Sequence, residues 1–156
     1  MTISMDVQEI ILMDMTTTAL ITLDIAAPAS AGLIPVNDTT MNPTTVRLRY
    51  TSCVPVGQTR RIEVSYADAI RPPAGTELRV YPTMVSNVGT AAATVGAPLT
   101  ISGVAQNLIV AIGSCNTGTA ATNGPRIRYV FAVANASQLI VDSTTVTVAY
   151  TITDAS

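Results

Sequence analysis

Two cysteines, ten carboxylates and eight basic residues, all of them arginine, carry the ionisable chemistry of this 156-residue sequence, alongside its five tyrosines. Histidine and lysine are absent. Without histidine, neither a Ser-His-Asp nor a Cys-His constellation can be assembled, and no zinc site of the usual kind is available. Without lysine there is no Schiff base and no Ser-Lys dyad. The run Gly113-Ser114-Cys115-Asn116-Thr117-Gly118 has the glycine spacing of a phosphate-binding loop. Thr119 and Ala120 follow it, however, where that loop needs Lys and then Ser or Thr. Two-carboxylate glycoside hydrolysis needs only Asp or Glu. Glu63 and Glu77 sit in alternation with apolar residues, which is the pattern of a solvated sheet surface rather than of a paired site. The aspartates are too scattered for a calcium site, which needs clustered oxygens. The expectation is a protein that is not an enzyme and carries no cofactor or metal.

Cys53 and Cys115 form no CxxC motif. In a Thr-rich, β-patterned chain an even pair fits one structural disulfide, which implies an oxidising, extracellular setting. The other reading is two buried free thiols. Closing so long a loop would stabilise the fold by about 4 kcal/mol in the chain-entropy model. The first residues, Met1-Thr2-Ile3-Ser4-Met5-Asp6, have neither a basic stretch nor an apolar one. The chain is expected to be either a mature secreted form whose leader has been removed or a leaderless one, and the other features favour the first.

These groups must be positioned by strands. The 24 threonines, with abundant Val and Ile, favour pleated sheet because a branched Cβ is stiff in a helix and packs well on a strand. Apolar residues alternate with polar ones at Ile21-Leu23-Ile25, Val46-Leu48-Tyr50, Ile62-Val64-Tyr66, Leu78-Val80, Ile127-Tyr129-Phe131-Val133 and Val146-Val148-Tyr150-Ile152. Leu99 and Ile101 mark a short run, and residues 108–112 read as a strand buried on both faces. Pro and Gly fall between the runs, most firmly in the Arg-Pro-Pro-Ala-Gly turn at 71–75. Eight or more short strands at this spacing predict an all-β, antiparallel β-sandwich, jelly-roll or Ig-like. No apolar run approaches the ~20 residues of a membrane helix. A net charge of −2 with scattered arginines argues against nucleic acid.

The N-terminus differs from the other runs. Period-2 alternation extends over residues 3–15, with Ile3, Met5, Val7, Ile11, Met13 and Met15 on one phase. Ordinary strands run ~5–6 residues. Residues 1–18 thus read as an extension with a Thr16-Thr17-Thr18 hinge, and residues 19–156 as the sandwich domain. An apolar terminal strand must be paired somewhere. It is either the first strand of its own sandwich or a donor that completes a neighbouring copy by β-strand addition. Head-to-tail donation is heterologous and propagates a filament, a homopolymer of this chain. Glu9 is the one acid on the apolar phase, and in a donor strand it would meet an arginine of the groove such as Arg126 or Arg128.

Tyr50, Tyr66, Tyr129 and Tyr150 lie on the apolar phase and read as core, whereas Tyr81 does not. A lectin-like role toward host-surface or matrix glycans stays open on these rings. Asn37-Asp38-Thr39 and Asn135-Ala136-Ser137 match the N-glycosylation acceptor pattern, while Pro43 excludes Asn42.

Residues 110–118 (VAIGSCNTG) and 146–154 (VTVAYTITD), with residues 45–53 and the following Gly57-Gln58-Thr59, resemble secreted bacterial β-sandwich proteins. The organisation as a whole is similar to pilin-type subunits of donor-strand-exchange filaments. That resemblance implies an extracellular filament or pilus subunit, with residues 3–15 as donor strand and a groove flanked by residues 146–152. The alternative is a self-contained sandwich serving as a carbohydrate-binding, adhesive or surface-decorating module.

Overall fold

The computed structural model describes residues 1–35, 46–84 and 93–155. Ten strands appear in the order β1 (Ile10–Met15), β2 (Val46–Cys53), β3 (Arg60–Tyr66), β4 (Thr76–Thr83), β5 (Thr94–Val95), β6 (Leu99–Thr100), β7 (Gln106–Ile112), β8 (Cys115–Asn116), β9 (Arg126–Val133) and β10 (Val148–Asp154). A 3-10 turn, Ala136–Gln138, lies between β9 and β10. The protein is thus nearly all β, and its strand pairs are antiparallel.

The strands form two sheets. The first runs β1-β2-β9-β4-β6, with β8 also pairing β2; the second runs β10-β3-β7-β5. Strict alternation makes each sheet one-sided. In β2 the buried phase is Val46, Leu48, Tyr50 and Ser52, and in β3 it is Arg60, Ile62, Val64 and Tyr66. Leu48, Ile62, Val64, Val80, Leu108, Ile109, Ile112 and Ile127 are fully enclosed in a core fed by both sheets. Each such side chain contributes roughly 1.5–3 kcal/mol through removal from water.

Strand β7 departs from simple alternation, since Leu108 and Ile109 are neighbours and both fully buried. Its register against β3 slips twice, and Ala111 takes the left-handed φ of 59°. A bulge there turns successive side chains the same way. Burial along this run therefore comes from bulging rather than from a strand covered on both faces. In β9 the buried phase also changes partway, with Tyr129 and Val130 both inside and Phe131 and Val133 only half-buried. The alternation at residues 21–25 is present too, with Ile21 and Leu23 packed on the core and Thr22 and Asp24 exposed. That segment forms no ladder, because only Ala26 makes a bridge.

Candidate functional site

The corner where the two ends of the described chain meet holds the most concentrated polar chemistry. Arg60 occupies the core phase of β3 and is only 2% exposed. Every arm of its guanidinium is engaged. Nε donates to Asp154 Oδ1 at 3.1 Å. Nη1 donates to the Ile10 carbonyl, to Ser52 Oγ and to the Cys53 carbonyl, the last two at 3.3 Å. Nη2 donates to the Glu9 carboxylate. Only a planar fork with donors on three nitrogens can satisfy so many acceptors at once. Arg60 thereby ties the first sheet, through β2 and the start of β1, to the end of β10 in the second.

Beside this clamp, β1 docks antiparallel on β2, with Met13 opposite Tyr50 and Met15 opposite Leu48. Met13 and Met15 pack against the core, while Ile10, Ile11 and Leu12 remain exposed. Asp14 faces the other way and pairs with Arg49. Upstream of β1, Ile3, Met5 and Val7 are strongly exposed, at 69%, 90% and 82%. The structure therefore divides the residues expected in a donor strand. Met13 and Met15 are seated in cis, Ile11 is at the margin, and Ile3, Met5 and Val7 stand clear of the core. Glu9 meets Arg60 and not Arg126 or Arg128, which lie on the outward phase of β9.

Two sheet edges have no strand partner among the described residues. Among the described residues β1 pairs only with β2, and β10 pairs only with β3. On β10, Val148, Tyr150 and Ile152 are partly buried against the core.

The expected Cys53–Cys115 disulfide is absent, and both cysteines are free thiols. The pleat explains the correction. Cys115 pairs across from Ser52 on the buried face, so Cys53, one residue further along β2, points out of the opposite face. Cβ vectors directed to opposite faces cannot be bridged without moving backbone. Burial also pushes the Cys115 thiol up from its ordinary value. Titration with a thiol reagent in denaturant, without reductant, is expected to count two thiols per chain. In the native protein, half-buried Cys53 should react first and Cys115 slowly. A count of zero in denaturant would restore the disulfide.

Glu63 and Glu77 lie in different sheets, and each pairs with an arginine two residues away, Arg61 and Arg79. No group of three or more Cys, Asp or Glu is placed to hold a metal ion among the described residues. Tyr129 and Tyr150 join hydroxyl to hydroxyl at 2.6 Å between the sheets. Burial raises the pKa of both, and also that of Tyr50 and Tyr66. Tyr50, Tyr66 and Tyr129 belong to the buried core, and Tyr150 packs against it. Asn135 is exposed, and its Oδ1 caps the 3-10 turn by accepting from the Ser137 backbone N–H and hydroxyl. Asn37 lies outside the described residues.

Sequence reasoning missed Arg60 because a charged residue before Ile62 reads as strand-end surface. The one available signal was its phase, two residues from Ile62 and therefore on the core side. Comparison with protein-family models, with curated proteins and with solved structures finds no match to this chain.

Proposed function

We propose that this chain is a structural subunit that assembles with copies of itself by N-terminal strand addition, forming an extracellular filament. On this reading the two sheets make a β-sandwich of jelly-roll or Ig-like kind. The slot that would receive a neighbour's strand is the edge of β2 that β1 occupies in cis.

The observation that carries the proposal is the lopsided seating of the N-terminal segment. Its apolar alternation covers residues 3–15, yet only Met13 and Met15 reach the core in cis. Ile3, Met5 and Val7 continue the same phase into solvent immediately ahead of the docked strand. Exposed alternating apolar residues beside open strand edges are a template for pairing with another chain. The same segment entering a neighbour's slot would cover those side chains and leave its own slot for the next copy, a heterologous contact that propagates. Secretion is supported by the Thr-rich, Lys-free composition alone, since the free thiols remove the disulfide argument.

A second reading, a self-contained binding module, is favoured by the complete cis pairing of Ile10–Met15 with β2. Deletion of residues 1–15 separates the two. A filament subunit is expected to show concentration-dependent oligomers by negative-stain microscopy and sedimentation, to lose them on deletion, and to bind an added peptide of residues 1–16. A full-length protein that stays monodisperse and monomeric at high concentration would overturn the filament proposal.

A further inference from the structure

The outer face of the first sheet collects five arginines that are far apart in the sequence. Arg47 and Arg49 come from β2, Arg126 and Arg128 from β9, and Arg79 from β4. The register places Arg47 directly opposite Arg126 and Arg128 directly opposite Tyr81. Two of the five are neutralised locally, Arg49 by Asp14 and Arg79 by Glu77. Arg47, Arg126 and Arg128 have no carboxylate within ion-pairing distance among the described residues. Arg47 donates one bond to the Gly124 carbonyl at 3.2 Å. The Nε atoms of Arg126 and Arg128 are shielded from solvent and make no hydrogen bond.

Like charges directly opposite on adjacent strands are destabilising. Strand partners stand about 5 Å apart and alternate residues about 7 Å apart, so three guanidinium stems converge on a small patch. That patch belongs to a chain whose net charge is −2. An arrangement that works against folding and against the overall charge is explained by an anion that binds across it.

We propose that Arg47, Arg126 and Arg128 form a binding face for an acidic polysaccharide, gripping its sulfate or carboxylate groups. Guanidinium forks recognise such groups bidentately. Tyr81 beside Arg128 adds a flat ring against which a sugar can lie. The patch is small and the sequence pI is about 4.8, which suits a few acidic groups of a sugar polymer better than nucleic acid, whose backbone calls for a longer basic stripe. The face lies outside the Arg60 corner and does not depend on how subunits assemble.

The test uses the full chain with heparin, neutral dextran and a single-stranded 20-nucleotide probe, measured by surface-immobilised binding at low and raised salt. Heparin is expected to bind, to weaken as salt rises and to outcompete the oligonucleotide, while dextran is not retained. The double variant Arg126→Gln/Arg128→Gln is expected to lose heparin affinity by at least roughly tenfold. Its melting temperature should be unchanged or slightly raised, because a repulsive pair is gone. Arg61→Gln, on the second sheet, should bind as wild type. No heparin binding, an unaffected double variant, or equal loss in Arg61→Gln would overturn the proposal. Tighter binding of the oligonucleotide would replace it with a nucleic-acid face.

Discussion

Arg60→Ala is expected to destabilise the protein by about 2–5 kcal/mol, the range for truncating a large buried side chain and stranding its buried acceptors. The loss has two physical parts. Truncation leaves a cavity at a position that is 2% exposed. It also strips donors from Ser52 Oγ and from the carbonyls of Ile10 and Cys53, which face inward and gain little water in exchange. Glu9 and Asp154 are 51% and 72% exposed on their side chains, so they rehydrate and contribute little of the cost. Glu9→Gln should therefore lower stability by less than about 1 kcal/mol. Arg60→Met, which refills the volume without the charge, should fall between the two. Chemical denaturation monitored by tyrosine fluorescence measures all three. If Arg60→Ala cost no more than Glu9→Gln, the guanidinium would not be the tie between the sheets.

Gly124→Ala is the second large effect expected, about 3 kcal/mol from strain and overpacking together. Gly124 has φ +83°, and a Cβ there would sit 2.0 Å from the Leu48 carbonyl oxygen. That oxygen belongs to a fully buried central residue of β2, whose own N–H bonds the neighbouring Pro125 carbonyl at 3.1 Å. Neither partner can give way without moving the core. Left-handed strain of ~1–2 kcal/mol thus adds to an overpacking cost of ~1–3 kcal/mol. Gly57 provides the control, since it has φ +81° with nothing within 4 Å of where an added Cβ would stand. Gly57→Ala should therefore cost only about 1 kcal/mol, the strain without the clash. Equal midpoints for the two variants in denaturant would show that the loop before β9 is not pinned to β2.

The long strands were legible because most carry their core residues at strict alternation. Leu48 and Tyr50, Ile62 and Val64, and Ile127 and Tyr129 lie inside as their phase requires. Period-2 pattern reports which face is buried and says nothing about which strand lies alongside. Hence residues 21–25 show the correct faces but no ladder, and the Cys53–Cys115 pairing failed on a register that places the two thiols on opposite faces. The cationic face was hidden for the same reason. Arg47 and Arg126 become neighbours only through the β2–β9 pairing, so linear spacing made them look dispersed. Arg60 was hidden differently: residue type argued for solvent while phase argued for core, and phase prevailed because five acceptors converge there.

One guanidinium holding both Glu9 and Asp154 has a kinetic consequence. The same side chain also holds the Ile10 carbonyl, so its removal in Arg60→Ala is expected to loosen the opening strand and the final strand together. Hydrogen exchange is expected to show faster amide exchange at both Ile10–Met15 and Val148–Asp154 in that variant, although the two strands sit in different sheets.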